Sequence, residues 1–257
     1  MKLTEKRHCS GRRNGKPKVM RVSPATIAKM DDTAIGLVID KMSLPQVTFP
    51  GITRKSSVRY CPPRTVDKEA TKMILKKNKS FNIEHVQRKI LRMSCLKKSI
   101  SQSEWFHRQL QKYIRIYHPD CPFKIAESEQ LSGLEPEAAV FAKHSFQRGQ
   151  TIAFLSGVIV PLTKKEELEL EKSEKGFSLL SSRSRAAAMF LGPARFVNHD
   201  CKANAEIVRA ERSRAHIVAL KEIQQGEEIT VFYGEHYFGK DNYECLCRSC
   251  TARIADS

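Results

Sequence analysis

Three cysteines within six residues, Cys245-x-Cys247-x-x-Cys250, form the most chemically specific pattern in the chain. Sulfurs so spaced lie in one tight turn and can face a single ion about 2.3 Å from each, as tetrahedral Zn²⁺ requires. A fourth thiolate would close the shell, and Cys201 is the best candidate because it stands in a polar turn beside a second informative motif. An all-sulfur shell keeps no position for water, so the site reads as structural rather than catalytic. Cys9, Cys61, Cys95 and Cys121 are scattered, and eight cysteines so distributed point to metal rather than disulfides. The plain alternative is a set of free thiols near the end of the chain.

The second motif is Gly192-Pro193-Ala194-Arg195-Phe196-Val197-Asn198-His199-Asp200-Cys201, followed downstream by Gly226-Glu227-Glu228-Ile229-Thr230-Val231-Phe232-Tyr233-Gly234. Asn198 offers amide donors and an acceptor, and His199 donates through one ring nitrogen while accepting at the other, a pair suited to a polar, charged ligand. Tyr233 ends an expected strand just before a glycine. Taken singly, each of the three is more often a satisfied core or turn residue.

These residues need elements to hold them. At 257 residues with 40% hydrophobic content, the chain can bury one substantial core and a smaller one. From Asp67 onward, apolar residues recur at three- and four-residue steps: Met73 and Ile74, then Ile83, Val86, Ile90 and Leu91, then Trp105, Phe106, Leu110, Tyr113, Ile114 and Tyr117. These predict amphipathic helices that end near His118-Pro119 and Cys121-Pro122. Beyond them come brief β-rich runs, 138–142, 151–155, 158–160, 205–208, 215–220 and 228–232, punctuated by Gly149, Gly157, Gly226 and Gly234. The acidic, Lys-interleaved run 163–175 predicts a surface helix capped by Thr163. Neither a phosphate loop nor a GxGxxG sequence occurs, which removes support for nucleotide-dependent kinase and Rossmann chemistry.

Charge is concentrated at the start. Over residues 1–60, 13 Lys and Arg against 4 Asp and Glu give +9 of the +17 total. A basic segment rich in Ser, Pro and Gly predicts little regular structure over residues 1–64, apart from a short apolar run from Ala34 to Asp40. It serves either as a solvated tail or as a contact for nucleic acid. No run of about 18 apolar residues and no apolar signal-peptide core occurs, so a soluble, intracellular protein with no membrane contact is expected.

The two motif segments resemble the paired signature motifs of SET domains, in which they thread through each other as a pseudoknot. Phe177-Ser178, Ser181-Ser182-Arg183, Phe190 to Phe196, Tyr237-Phe238-Gly239 and Glu244-Cys245-Leu246-Cys247 resemble the fungal branch of the enzymes that methylate lysine 20 of histone H4. The run from Tyr113 to Phe123 is similar to that branch too, and the resemblance covers roughly residues 100–251, with the helices from Asp67 more weakly matched. It implies an α+β fold: a basic segment (1–64), a small N-terminal helical domain (65–120), a mixed-β SET domain with pseudoknot (121–240) and a zinc-binding post-SET segment (241–257).

The resemblance also implies the chemistry. S-adenosylmethionine is the expected methyl donor, held by Asn198, His199 and Tyr233, with Phe177, Ser178 and the backbone around Leu246 near the same ligand. Tyr233 becomes the active-site tyrosine, orienting the lysine nitrogen for in-line attack. Free lysine has a pKa near 10.4, so about one molecule in a thousand is the neutral nucleophile at about pH 7.4. A dry channel beside a sulfonium charge would favour the neutral amine. Phe196, Phe232, Tyr237 and Phe238 are candidates for its walls. The expected activity is histone-lysine N-methylation of histone H4 in nucleosomes, in the nucleus on the chromosome, with the basic N-terminus on nucleosomal DNA. The alternatives are methylation of another protein lysine, or a catalytically silent SET fold that binds chromatin.

Three departures accompany the resemblance. The stretch Glu137-Ala138-Ala139-Val140-Phe141-Ala142 has no glycine where many SET domains carry a Gly-x-Gly cofactor turn. The spacing from Phe177 to Asn198 is one residue shorter than the family's. The chain ends seven residues after Cys250, so no regulatory C-terminal extension is expected.

Overall fold

The computed structural model describes residues 22–42, 81–93, 96–127, 138–171, 179–181, 187–211 and 213–255. Met73, Ile74, Cys9, Cys61, Cys95 and the cofactor candidates Phe177 and Ser178 lie outside the described residues.

The first helix, α1 (Pro24–Met42), falls inside the segment expected to lack regular structure. Ser23 starts it by accepting the Thr26 N–H at 3.3 Å, with Pro24 at the first helical position. From Met30 to Ile39 it is buried on every side. The sequence concealed this because Asp31, Asp32 and Thr33 interrupt the apolar pattern, and an all-round buried helix lacks the polar face that betrays a surface helix.

Three further helices follow, the longest of which packs directly on it. α2 (Ile83–Leu91) is capped by Asn82, which accepts the His85 N–H at 2.9 Å, and turns Val86 and Ile90 inward. After the single turn α3 (Lys98–Ser101), α4 (Glu104–Arg115) is capped by Ser103 and buries Phe106, Leu110, Tyr113 and Ile114 along one stripe. Tyr117 donates to the Val38 carbonyl at 3.2 Å, tying the end of α4 to α1.

The strands follow. β1 (Phe123–Glu127) and β2 (Ala138–Ala142) form an antiparallel pair. β3 (Thr151–Pro161) is one eleven-residue strand where two were expected, with its register against β8 shifted between Thr151 and Ser156. Gly157 explains the apparent gap: a Cβ there would lie 2.2 Å from the Phe190 ring, so only glycine lets the strands close up. The acidic helix is α5 (Lys164–Glu171), opened by a capping box in which Glu166 N–H donates to Thr163 Oγ1 and Thr163 N–H donates to Glu166 Oε2. β4 (Leu179–Ser181), β5 (Ala187–Leu191), β6 (Asn198–His199), β7 (Ala205–Arg209), β8 (Arg214–Ala219) and β9 (Thr230–Val231) join β3 in a sheet of order β4-β5-β3-β8-β7-β9-β6. The final helix is α6 (Arg248–Ala255).

Most pairs are antiparallel, but β6 and β7 run parallel to β9, giving the mixed sheet and the α+β class that were expected. One apolar core runs from Ile35 and Val38 of α1 through Phe106 and Leu110 of α4 to Ile152, Ile217 and Val231 of the sheet. The change from helices to strands near Asp120 is therefore a change of secondary structure within continuous packing. A second cluster sets Ala28 of α1 against Val160, Met189 and Leu191.

At the centre of this packing lies an ionic knot. Arg195, 2% exposed, donates from Nη1 to Asp31 Oδ2 at 3.1 Å and to Asp32 Oδ1 at 3.2 Å. Asp31 Oδ2 also accepts the Tyr113 hydroxyl at 2.8 Å and the Gly192 N–H at 3.2 Å. Desolvation opposes the Arg195 charge, but Asp31, Tyr113 and Asp32 more than offset it and raise its pKa above the ordinary value. Burial and Asp31 likewise push the Tyr113 phenol well up, so it stays a donor. Among the described residues no helix is long and apolar enough to cross a membrane.

Candidate functional site

Two sequence-distant segments are brought side by side at the end of the sheet. Gly192, with φ of 87°, turns the chain into the short 3-10 turn Pro193–Phe196, which delivers Asn198 and His199 into β6. There Asn198 stands opposite Thr230 and His199 opposite Val231. The register is riveted by Asn204, a buried residue that sequence reasoning did not single out. Its Nδ2 donates to Glu227 Oε1 at 2.9 Å and to the Glu228 carbonyl at 2.8 Å, while its Oδ1 accepts the Thr230 N–H at 2.8 Å. An asparagine before a strand is an ordinary turn signal, so nothing in the pattern marked it. Replacing Asn204 with Ala removes three bonds and leaves the N–H of half-buried Thr230 without its acceptor, and is expected to destabilise the protein by about 2–4 kcal/mol. A midpoint shift below about 1 kcal/mol in denaturant unfolding would contradict that role.

Tyr233 sits two residues past the end of β9. Its hydroxyl donates to the Val197 carbonyl at 2.7 Å, and its N–H donates to His199 Nδ1 at 3.1 Å. The phenol proton is thus committed to the main chain, which sets the oxygen up as an acceptor toward an incoming N–H. Aromatic rings surround the pair: Phe232, Tyr233 and Phe238 lie 5.4, 5.4 and 5.1 Å from the His199 ring, and Tyr237 lies 4.8 Å from Tyr233. Of the proposed channel walls, Phe196 is instead fully buried in the core. Phe232 and Tyr237 are 45% and 40% exposed, as is Leu246 at 51%. Exposed apolar groups flanking the buried Asn198 and His199 fit a ligand with both a flat apolar part and a charged part, as S-adenosylmethionine has.

Asn198 is tied down by the protein itself. Its Nδ2 donates to the Ala138 carbonyl at 3.3 Å and to Glu228 Oε1 at 3.1 Å. Ala138 opens β2, the stretch that lacks the Gly-x-Gly turn, and Ala138, Ala139 and Val140 are all fully buried. Small side chains here keep the backbone close to β6.

The cysteines converge as their spacing suggested. Cys201 Sγ lies 3.8 Å from Cys245 Sγ and 3.5 Å from Cys250 Sγ, and the Cys201 N–H donates to Cys247 Sγ at 3.4 Å. Four sulfurs each about 2.3 Å from a central ion would be separated by about 3.8 Å, so these contacts fit a tetrahedral Zn²⁺ shell. His199 offers a rival ligand, since its ring nitrogen and the sulfurs of Cys201, Cys245 and Cys247 also lie within 4.8 Å of one another. The hydrogen bonds favour the four-cysteine set. His199 Nδ1 accepts from Tyr233, which puts the proton of a neutral ring on Nε2, facing Cys201 Sγ at 3.3 Å. In that tautomer His199 is placed to support a sulfur through a hydrogen bond rather than to bind an ion itself. Burial holds its pKa below the ordinary histidine value, consistent with that neutral form. Crowded as thiols, the group is uncomfortable: burial and mutual hydrogen bonding push Cys201 up and Cys245 up to about 11. At Cys247 burial is outweighed by backbone N–H donors from Cys201 and Cys250, which hold it low. A dication would hold all four as thiolates.

A second tie parallels the cysteines. Asp200 accepts the Ser249 hydroxyl at 2.5 Å and the Ser249 N–H at 3.2 Å, placing a carboxylate on the N-terminal turn of α6. The same carboxylate accepts the Lys202 N–H at 2.6 Å. Asp200 lies between two assigned site residues, yet its role was invisible without the partner.

Residues 137–234 match the family model described as SET domain. This stretch is a SET domain. That SET domain contains Asn198, His199, Cys201 and Tyr233, while Cys245, Cys247 and Cys250 follow it. Across 243 residues the chain is 39% identical to histone-lysine N-methyltransferase set9 of Aspergillus terreus, matching 91% of this chain and 38% of that protein. It is 40% identical over 253 residues to the set9 protein of Aspergillus fumigatus, matching 94% of this chain and 40% of that one. The corresponding protein of Gibberella zeae is 35% identical over 246 residues, 92% of this chain and 36% of that one. The SET-domain chain thus spans about two fifths of the length of the curated relatives it matches.

Proposed function

We propose that this chain is a histone-lysine N-methyltransferase that takes its methyl group from S-adenosylmethionine and acts on lysine 20 of histone H4 in nucleosomes. The observation that carries the reading is Tyr233, its proton fixed on the Val197 carbonyl, standing in an aromatic surround beside Asn198 and His199. The printed names of the fungal relatives agree with the reaction class.

Bound S-adenosylmethionine supplies an electrophilic methyl group on a sulfonium sulfur. The protein's part is to bind, orient and dry. Asn198, His199 and the backbone around Leu246 hold the donor, together with Phe177 and Ser178. The Tyr233 oxygen accepts an N–H from the substrate lysine and points the nitrogen lone pair at the methyl carbon. Phe232, Tyr237 and Phe238 keep water from that amine, which favours its neutral form. Cys201, Cys245, Cys247 and Cys250 hold a structural zinc ion. The helices before Asp120, the SET domain to about residue 240 and the zinc segment after it act as three parts of one nuclear, chromosome-bound enzyme.

The experiment is incubation of nucleosomes and of a total protein extract with the chain and isotopically labelled donor. Label concentrated on histone H4 supports the proposal. Label on another protein and none on H4 transfers the activity to that substrate, and no label with bound donor would mean a catalytically silent fold.

The basic segment is proposed to rest on nucleosomal DNA. Because α1 is built into the core, removing residues 1–60 would damage the fold, and the clean test is removal of residues 1–21. That stretch carries 8 Lys and Arg against 1 acidic residue, or +7. Its removal is expected to weaken nucleosome binding and to flatten the log–log salt dependence by about 0.9 for each phosphate that is no longer neutralised. Equal binding across a salt titration would refute the DNA-binding role of this segment.

A further inference from the structure

The ionic knot ends two residues from the carbonyl that holds the Tyr233 phenol. Asp31 and Asp32 grip Arg195, the Gly192 N–H binds the same Asp31 oxygen, and the turn between them leads through Phe196 to Val197. The Val197 carbonyl then receives the Tyr233 hydroxyl at 2.7 Å. One carboxylate of α1 therefore fixes both ends of the four-residue span Gly192 to Arg195, and that span sets where Val197 and the following Asn198 and His199 stand. Burying an arginine and two aspartates is costly, and an apolar substitute would serve stability as well or better. What an apolar substitute cannot supply is directional hold on a backbone turn.

We infer that Asp31 and Asp32 of α1, acting through Arg195, are positioning residues for Tyr233, so that the N-terminal helix is a working part of the methyl-transfer site. This rests on the methyltransferase reading given above. The link is a chain of rigid contacts: the pair on α1 holds the guanidinium, the guanidinium holds the turn, and the turn holds the acceptor of the phenol proton. Slack anywhere along it lets the phenol rotate, which lowers turnover, while Asn198 and His199 are held a second time by their pairing with Thr230 and Val231 and by the Asn198 bonds to Ala138 and Glu228, so donor binding suffers less. Lysine in place of Arg195 keeps the charge but puts a shorter chain and a tetrahedral ammonium where the planar guanidinium now bonds both carboxylates through Nη1. Asparagine in place of Asp32 removes one charge and leaves every bond of Asp31 intact.

The test compares the 257-residue chain as wild type, Arg195→Lys, Asp32→Asn and a control, Val38→Ala, which loosens α1 in the core without touching the knot. Two readouts are taken well below the unfolding temperature. One is the ring resonance of Tyr233 in protein carrying ¹³C-labelled tyrosine, assigned by its loss in Tyr233→Phe. The other is the split between kcat and the KM for S-adenosylmethionine. Arg195→Lys and Asp32→Asn are expected to shift the Tyr233 resonance and lower kcat by about tenfold, with KM changed by less than about threefold. Val38→Ala is expected to leave both at the wild-type position despite its lower stability. If Arg195→Lys does not fold, Asp32→Asn decides alone. A Tyr233 resonance that stays put in the knot variants, or that moves equally in Val38→Ala, overturns the inference whatever the activity. A wild-type chain that methylates no protein would overturn the proposed function instead, and the resonance would still report on the link.

Discussion

A Tyr233→Phe variant will fold, bind S-adenosylmethionine within about threefold of wild type, and transfer methyl groups about 100-fold more slowly or worse. The fold survives because the ring contacts survive: Tyr237 and His199 pack against the Tyr233 ring at 4.8 and 5.4 Å, and both contacts involve carbon atoms that phenylalanine retains. Loss of the bond to Val197 costs about 1 kcal/mol of stability, which a protein of this core size tolerates. The amine, however, loses the acceptor that orients it. A nitrogen free to rotate spends most of its time off the line of attack, and a 1 Å error in placement costs on the order of 100-fold, or about 2.7 kcal/mol of barrier. Calorimetric titration with the donor and a single-turnover assay separate the two steps. Undiminished turnover by Tyr233→Phe would remove Tyr233 from the chemistry.

Removal of zinc will have the second large effect, and it will reach beyond the cysteines. Structural zinc sites contribute about 10–16 kcal/mol of apparent binding energy near neutral pH, on the scale of a whole domain's stability. Here a bound zinc ion would join Cys201, at the end of the first motif, to Cys250 in α6. With the ion gone, the four thiols must share a space that already pushes Cys245 up to about 11, while Asp200 with its two bonds to Ser249 still holds α6. Chelation is expected to loosen the backbone around α6, so that trypsin cuts faster after Lys240, Arg248 and Arg253, whose side chains are already exposed. It should also weaken donor binding by tenfold or more, because His199 donates to Cys201 and takes its orientation partly from it. Cys201→Ser should behave like the chelated protein. A chain shown by metal analysis to be zinc-free, yet resistant to trypsin and unchanged in donor affinity, would contradict this role.

Local pattern carried much of the fold. β2 begins and ends at Ala138 and Ala142 as expected, the cap of α5 is Thr163, and the stripes of α2 and α4 follow the three- and four-residue steps. The cysteine cluster was legible for a similar reason, since three of its four members lie in one turn and spacing alone brings their sulfurs together.

What stayed hidden were partnerships between distant residues that look ordinary singly. Arg195 and Asp31 are separated by 164 positions, and nothing about an arginine in a Gly-Pro-Ala-Arg turn announces that it is buried. The same is true of Asn204 with Thr230 and of Asp200 with Ser249. α1 was missed because its charged residues are satisfied only by tertiary contacts, which a helical stripe cannot display. Phe177 and Ser178, inferred from resemblance, remain proposals that lie outside the described residues.

The most direct test of the account is peptide-resolved mass spectrometry of histones from nucleosomes incubated with the chain and deuterated donor. Methyl groups on lysine 20 of histone H4, present with wild type and nearly absent with Tyr233→Phe, are the expected result. Nucleosomes that carry no new methyl group after incubation with zinc-loaded, donor-binding protein would contradict it.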